Sequence, residues 1–183
     1  PDLIAKLMLI TKVNALRMGY SGISLEVLER IVFFIHHEII PEVPSQGSVG
    51  ASGDLAPLAH LFLPIIGLGK VKVDGKIISA AKMHNLYHLD PLPLGAKEGL
   101  ALINGTQFIL AYAVLGLSRF YNCLEAADIV GAMSLEGLLG SISPFTKELH
   151  ELRPFEGSQL VAARMNTLLS GSEMVASHED CAR

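Results

Sequence analysis

The fold class is decided by residues 96–141, which read AKEGLALINGTQFILAYAVLGLSRFYNCLEAADIVGAMSLEGLLGS. Apolar residues recur there at helical spacing, so we expect helix from Ala96 almost to Ser141, with breaks near Gly131 or Gly137. Helical periodicity also dominates the rest of the chain. The sequence therefore predicts an all-α fold in which long helices form part of a helical bundle.

Capping residues delimit the helices that precede this stretch. The first helix is expected to end near Gly19, and Ser24 is expected to cap a second helix over 25–40 that Pro41 ends. The apolar spacing of the first helix predicts its buried face: Leu3, Leu7, Ile10, Ala15 and Met18.

One short segment departs from the helical pattern. Residues 70–78 alternate between polar and apolar side chains around Asp74-Gly75, a dipeptide typical of a two-residue hairpin turn. We therefore expect one small β-hairpin near 70–78 on an otherwise helical protein.

The composition excludes several classes of protein. Half of the 183 residues are apolar and 17% are charged, the opposite of the balance found in disordered segments. A formal net charge of −4 and the lack of a basic run exclude a dedicated nucleic-acid binder. A membrane-spanning helix needs about 20 continuous apolar residues. The best candidate, 55–68, is shorter and interrupted, so we expect no membrane partner and instead burial of the apolar excess against other copies of the chain.

The cysteines and histidines give no sign of a disulfide framework or a metal site. Two cysteines are too few for such a framework, so a reducing, cytoplasmic setting is expected. Cys123 lies in an apolar helix and is predicted to be a core residue. His84 and His88 have the spacing of a zinc pair, but no glutamate follows His84 and no third ligand accompanies them, so no metal is predicted.

The loop at 41–54 is rich in Gly, Pro and Ser and contains a triplet with unusual chemical potential. In a tight turn, the amide nitrogen of Gly53 can attack the carbonyl carbon of Ala51 and close a five-membered ring with loss of water. Loss of the Ser52 hydroxyl as a second water leaves an exocyclic methylidene, an electrophile that no standard side chain supplies. Glycine is needed at the last position because it readily adopts the required backbone dihedrals.

The same stretch is also compatible with an ordinary Gly-rich loop that leads into a helix, with an anion site at the helix N-terminus. A Walker-type phosphate loop is excluded because no lysine follows the glycines at the required position, and no nucleotide is expected. Asp54 is expected to be the N-cap of the helix that follows.

Three segments together resemble a known family. GSVGASGDLAPLAH at 47–60 and KEGLALINGTQ at 97–107 have a similar separation to the family's two motifs, and NALRMGYSG at 14–22 precedes them. On these segments the chain resembles the aromatic amino acid ammonia-lyases (histidine, phenylalanine and tyrosine ammonia-lyases and related aminomutases) over essentially all 183 residues. Residues 54–60 look more like the histidine enzyme, because the other enzymes more often carry valine after this Asp-Leu.

The resemblance implies a prosthetic group, 4-methylidene-imidazole-5-one, formed autocatalytically from the triplet 51–53. It implies that Asn104 hydrogen-bonds at the prosthetic ring and positions the substrate, a role suited to an amide that donates and accepts without titrating. Leu100, one helical turn earlier, would line the pocket for the substrate side chain. Asp54 would hold the strained ring in place.

The implied reaction is elimination of ammonia from an aromatic L-amino acid, with L-histidine and its product trans-urocanate as the leading pair. A phenylalanine or tyrosine ammonia-lyase, an aminomutase, and a catalytically inactive structural homologue remain alternatives. The resemblance also implies a homotetramer in which three subunits contribute to each active site, which would account for the apolar excess.

The resemblance makes residues 1–183 a central fragment of the ammonia-lyase domain, with the prosthetic-group loop (41–54) and part of the core bundle. The start, Pro1-Asp2-Leu3, has neither an initiator methionine nor a signal peptide and looks like the interior of a longer chain. The family's tyrosine base lies upstream of any residue here, and its carboxylate-binding arginine follows a stretch like 178–183. We therefore expect the fragment alone to be inactive.

Overall fold

The computed structural model describes residues 1–48 and 53–177. Two compact units are distinguished, 1–116 and 117–183, and their boundary falls within a long helix, α6 (Gln107–Gly137). The other helices of the first unit are α1 (Asp2–Leu16), α2 (Leu25–His36), α3 (Leu55–Phe62), α4 (Ala80–Leu86) and α5 (Glu98–Ile103). Those of the second unit are α7 (Lys147–Glu151), α8 (Glu156–Leu168) and α9 (Glu173–Ala176). The predicted all-α class is confirmed.

The small sheet contains the predicted hairpin and one further strand. The hairpin strands are β2 (Lys70–Val73) and β3 (Lys76–Ser79), which pair antiparallel around the Asp74-Gly75 turn. The further strand, β1 (Ile40–Pro41), pairs antiparallel with the other side of β2.

The end of α2 differs from the prediction of a helix over 25–40. Ser24 caps it as expected, accepting a hydrogen bond from the Val27 amide, but the helix ends at His36. Glu38 has a φ of +52°, a left-handed conformation that turns the chain out of the helix and into the sheet. Sheet pairing thus takes residues that the sequence assigned to the helix.

The predicted buried face of α1 is wrong. The buried positions are Ile4, Ala5, Met8, Leu9, Lys12 and Leu16, a face that includes a lysine. Leu3, Ile10 and Met18 are about half exposed. Because α1 is apolar on nearly every side, the spacing of its apolar residues does not distinguish its faces, and Lys12 made the buried face look polar.

The break in the long helical stretch also differs from the prediction. The helix is interrupted between Ile103 and Gln107, and α6 then continues through Gly131 to end at Gly137. The prediction of a break near Gly131 or Gly137 is therefore confirmed at Gly137, whereas the interruption between Ile103 and Gln107 was not predicted.

Each unit has its own apolar core. In the first unit, residues from α1, α2, α3 and β2 meet in one cluster; its fully buried members include Met8, Leu9, Ile31, Phe34, Leu58, Leu61 and Val71. The smaller cluster of the second unit consists of Ala132, Met165, Leu169 and Val175. An ion pair within that unit joins Arg164 to Asp128 at 3.0 Å.

The long helix exposes many apolar side chains. These include Ile109, Leu117, Phe120, Tyr121, Ile129, Val130 and Met133. Cys123, predicted to be a core residue, is also exposed on α6, so that prediction is wrong. An apolar helix is buried only where another element covers it, and sequence alone does not identify that element.

Among the described residues, the helical segment Glu98–Gly137 is long and apolar enough, by length and composition, to cross a membrane. The best candidate is therefore this segment and not 55–68, although charged residues such as Arg119 and Glu125 interrupt its apolar sequence. The same criteria are met by core helices of soluble proteins, so the segment is weak evidence for a span.

Candidate active site

The loop before α3 meets the break between α5 and α6. The amide of Asp54 donates to the carbonyl oxygen of Gly105 at 2.7 Å. Gly53 has a φ of +99°, and a Cβ atom added to it would lie 2.5 Å from that same oxygen, so only glycine fits. The two motifs that are far apart in sequence are therefore in contact. Ala51 and Ser52, the remainder of the triplet, lie outside the described residues.

Asp54 is fully buried, and its carboxylate binds a different helix from the one predicted. It occupies the N-cap position of α3, but its side chain makes no capping hydrogen bond there. The carboxylate instead accepts the amides of Phe108 and Ile109, at 3.0 and 3.1 Å, in the first turn of α6. The Ser48 hydroxyl donates to its other oxygen at 3.0 Å. Because the first amides of a helix have no partner within it, Asp54 satisfies two of those of α6 and ties them to the loop.

Two of the carbonyl groups that the break leaves without a helical partner, those of Asn104 and Gly105, have new partners. In a continuous helix, the carbonyls of Asn104 and Gly105 would accept the amides four residues later, which here donate to Asp54. Asn104 instead accepts a hydrogen bond from Lys12 Nζ at 2.8 Å, and Gly105 accepts the Asp54 amide. Lys12 and Asp54 thus replace two of the helical hydrogen bonds that the break removes.

Asn104 and Leu100 are both exposed: Leu100 lies within α5, and Asn104 directly follows its last residue. Asn104 is the residue at which the helix ends, with φ −86° and ψ 117°, and its amide still donates to the Leu100 carbonyl at 3.0 Å. Residues spaced by four share one helix face, and Leu100 is 53% exposed there. Both residues are therefore accessible, and Asn104 directly precedes Gly105, but Asn104 ends a helix and does not lie within one. Their roles toward substrate stay predictions.

Lys12 is a component of the site that the sequence analysis did not identify. Its side chain is 2% exposed, and its recorded partner among the described residues is the Asn104 carbonyl. Burial lowers its pKa from 10.5 to about 8, because a charged ammonium is poorly solvated there. The sequence contained one sign of its burial: Lys12 lies at the same four-residue spacing as the apolar residues Ile4, Met8 and Leu16.

Glu98 anchors the other end of α5. It is buried, and its carboxylate accepts the amide of Ser24 at 2.8 Å and that of Gly95 at 2.6 Å. Hydrogen bonds from Ser24 and from the Gly95 amide hold the pKa of Glu98 below its usual range. The short helix that carries Leu100 and Asn104 is therefore fixed at both ends by buried charged side chains.

Gln107, the first residue of α6, lies beside the same glycines. Its side-chain oxygen is buried without a hydrogen-bond partner among the described residues, and a Cβ atom on Gly105 would approach it to 2.1 Å. An unpaired buried acceptor requires an explanation. The buried Gln107 oxygen could pair with a group formed from the loop backbone, and Gly53 leaves no room there for a side chain. Both observations fit the ring that the resemblance implies.

The histidine pair does not form a metal site in the described part of the chain. His84 is buried and its Nε2 lies 2.7 Å from the carbonyl oxygen of Pro64, whereas His88 lies beyond the end of α4. Over residues 1–48 and 53–177, no group of three His, Cys, Asp or Glu residues could hold a metal ion. That the protein uses no metal stays a prediction.

Known proteins are similar to this chain in sequence and in fold. The family model "Aromatic amino acid lyase" matches residues 1–183. A histidine ammonia-lyase of Sorangium cellulosum (strain So ce56) is 44% identical over 176 residues, which is 96% of this chain and 34% of the relative. A histidine ammonia-lyase of Legionella pneumophila (strain Paris) is 43% identical over 183 residues, 36% of its length. The chain thus spans about a third of the length of the curated relatives it matches.

Solved structures agree in fold. The crystal structure of histidine ammonia-lyase from Trypanosoma cruzi aligns with a TM-score of 0.85 at 37% identity, covering 97% of this chain and 35% of that one. Phenylalanine ammonia-lyase from Rhodosporidium toruloides aligns with a TM-score of 0.89 at 34% identity, covering 98% and 28%. From the match along its whole length, the chain belongs to the aromatic amino acid lyase family.

Proposed function

We propose that the complete protein eliminates ammonia from an aromatic L-amino acid, and that its substrate is L-histidine and its product trans-urocanate. The observation that carries the proposal is the contact of the two motifs at Gly53 and Gly105, within a chain of this family. The choice of histidine is supported by the 44% identity to a histidine ammonia-lyase and by residues 54–60.

The prosthetic group of the proposal forms from the chain itself. The Gly53 nitrogen attacks the carbonyl carbon of Ala51, one water leaves, and loss of the Ser52 hydroxyl with its α-hydrogen releases the second. The resulting 4-methylidene-imidazole-5-one supplies an electrophile that makes the substrate amine a better leaving group. No metal and no nucleotide take part in this proposal.

In this proposal, residues of the chain hold the loop in place and orient the substrate. Asp54 fixes the end of the loop against α6, and its fully hydrogen-bonded carboxylate keeps Gly53 against Gly105. Asn104, exposed beside that contact, would donate and accept hydrogen bonds with the substrate without titrating. Leu100 would contact the substrate's aromatic side chain. Proximity of this kind lowers the barrier by holding the reacting atoms in position.

A second candidate is a phenylalanine or tyrosine ammonia-lyase or an aminomutase. It is favoured by one observation: the phenylalanine ammonia-lyase aligns with a TM-score of 0.89, against 0.85 for the histidine enzyme. The backbone therefore does not discriminate between these substrates. Incubation with L-histidine, L-phenylalanine and L-tyrosine does, because urocanate, cinnamate and coumarate absorb at different ultraviolet wavelengths and a mutase yields a β-amino acid.

The prosthetic group is tested by peptide mass on the complete protein. Trypsin releases residues 31–70 as one peptide, because no lysine or arginine lies between Ile31 and Lys70. We expect a mass lower by two waters, and the full mass in Ser52→Ala. An unmodified wild-type peptide from folded protein without turnover would contradict the proposal and favour an inactive structural homologue.

We also propose a cytoplasmic homotetramer with shared active sites, without nucleic-acid or membrane partners. The exposed apolar side chains of α6 support it, because so large an apolar surface is normally covered by protein. Burial in a helical bundle of several subunits would cover it.

A further inference from the structure

The local sequence contains only a short signal for the break between α5 and α6, the turn-forming dipeptide Asn104-Gly105. Residues 96–141 contain no proline, and the apolar spacing predicts helix across the break. Glycine at 105 weakens a helix but does not by itself end one. The break therefore depends on the partners that replace its lost hydrogen bonds, Asp54 and Lys12.

The two partners differ in what they hold. Asp54 binds the start of α6 and the Gly105 carbonyl, so it acts on the loop side of the break. Lys12 binds the carbonyl of Asn104 itself, from α1, and thereby fixes the peptide plane that follows this residue. The direction of a side chain depends on its own backbone dihedrals. Lys12 thus restrains the backbone on which the direction of the Asn104 side chain depends.

We propose that Lys12 is a positioning residue for the reaction: its buried ammonium holds the helix break and keeps Asn104 aimed at the substrate. The inference rests on the proposed function for Asn104. A lysine at this buried position is unfavourable for folding, since an ammonium without a carboxylate partner among the described residues loses its hydration. Its presence is therefore explained by the contact with Asn104 and not by stability.

Replacing Lys12 has two opposite effects on the free energy of folding. Lys12→Met keeps the volume and removes the cost of burying a charge, but it leaves the Asn104 carbonyl without its partner. We expect Tm to stay within about 5 °C of wild type. We expect kcat to fall by about 10- to 100-fold, because a misplacement of about 1 Å has that effect, with KM changed by less than about threefold.

The matched control is Lys6→Met. Lys6 lies on the same helix, but its side chain is partly exposed and paired with Glu38, away from the break. Unchanged kcat is expected for this variant. Lys12→Arg, which retains a charged donor, is expected to keep kcat within about tenfold of wild type.

A readout independent of turnover is hydrogen exchange at the amides of 104–107 in the complete protein. We expect faster exchange there in Lys12→Met and wild-type exchange in Lys6→Met. A Lys12→Met protein that loses its fold, or that folds and keeps wild-type kcat, refutes the positioning role. An inactive wild type with an unmodified loop refutes the proposed function instead, so the two failures are distinguishable.

Discussion

At the scale of single residues, the site depends on close backbone approach. Gly53 lies so close to the Gly105 oxygen that it cannot carry a side chain, and a side chain on Gly105 would overlap the Gln107 amide. The buried carboxylate of Asp54 accepts three hydrogen bonds beside them. The residue types of the loop are therefore explained by space and by hydrogen bonding as well as by the chemistry of the triplet.

Replacing Gly53 by alanine tests this. We expect Gly53→Ala to lower the free energy of unfolding by about 2–4 kcal/mol, from the left-handed backbone and the overlap with the Gly105 oxygen. The loss of two waters from the tryptic peptide should disappear. Gly19→Ala is the matched control: Gly19 has a φ of +79° but open space around it, so a cost of about 1–2 kcal/mol and normal maturation are expected. Equal losses in chemical denaturation would show that the Gly105 contact is unimportant.

Because Lys12 is buried, we expect the free energy of unfolding to rise at alkaline pH. Burial lowers its pKa in the folded protein from 10.5 to about 8, so between these values the unfolded chain binds the proton more tightly. The free energy of unfolding therefore increases from about pH 8 to about pH 10.5, by at most about 3 kcal/mol. Urea titrations across this range should show a smaller rise in Lys12→Met. Parallel pH profiles in the two proteins would contradict it.

At the scale of elements, α5 is a six-residue helix that owes its position to its ends. Helices this short are unstable in isolation. Glu98 attaches the first residue of α5 to Ser24 and Gly95, and Lys12 attaches its last carbonyl to α1. The element that carries Leu100 and Asn104 is thus fixed by contacts with distant parts of the chain.

Glu98 predicts a loss of stability in acid. Its hydrogen bonds hold its folded-state pKa below the ordinary value of 4.5. The carboxylate therefore contributes fully above about pH 4.5, and this contribution is lost as the pH falls through the lower folded-state pKa. Glu98→Gln should unfold more readily at neutral pH and show a flatter acid limb in thermal melts. The control is Glu29→Gln, at an exposed position of α2, which should keep the wild-type acid limb.

At the scale of the whole molecule, the exposed apolar surface of α6 is the main unexplained feature of this chain taken by itself. The chain spans about a third of the length of its curated relatives, and its family membership is established along all of its residues. The exposed residues of α6 are the surface on which the proposed assembly would form.

The assembly is tested by sedimentation velocity on the complete protein. We expect a tetramer whose mass does not change with dilution through the micromolar range. Phe120→Lys, on the exposed face of α6, should shift it toward smaller species, because a charged side chain is costly to bury in an apolar interface. Ile77→Lys, on the exposed side of β3, is the control and should leave the tetramer intact. An active wild-type monomer would refute the proposal.

Features that depend on neighbours along the chain could be predicted from the residues alone. Helical spacing predicted the all-α class, Asp74-Gly75 predicted the hairpin, Ser24 predicted a cap, and the motif residues identified the family. The chemistry of the triplet was predicted from local residue types too, and it stays a prediction, because Ala51 and Ser52 lie outside the described residues. The confirmed hairpin and cap need only residues within one turn or hairpin.

Long-range contacts determine where the helix breaks, which face of α1 is buried and which helix Asp54 binds. Each depends on residues far apart in sequence: Lys12 and Asn104 are separated by 92 positions, and Asp54 and Phe108 by 54. A buried charge looks like a surface residue until its partner is known. These features could not be predicted because hydrogen bonds from Lys12 and Asp54, which are distant in sequence, replace backbone hydrogen bonds of the helix that the apolar spacing predicts.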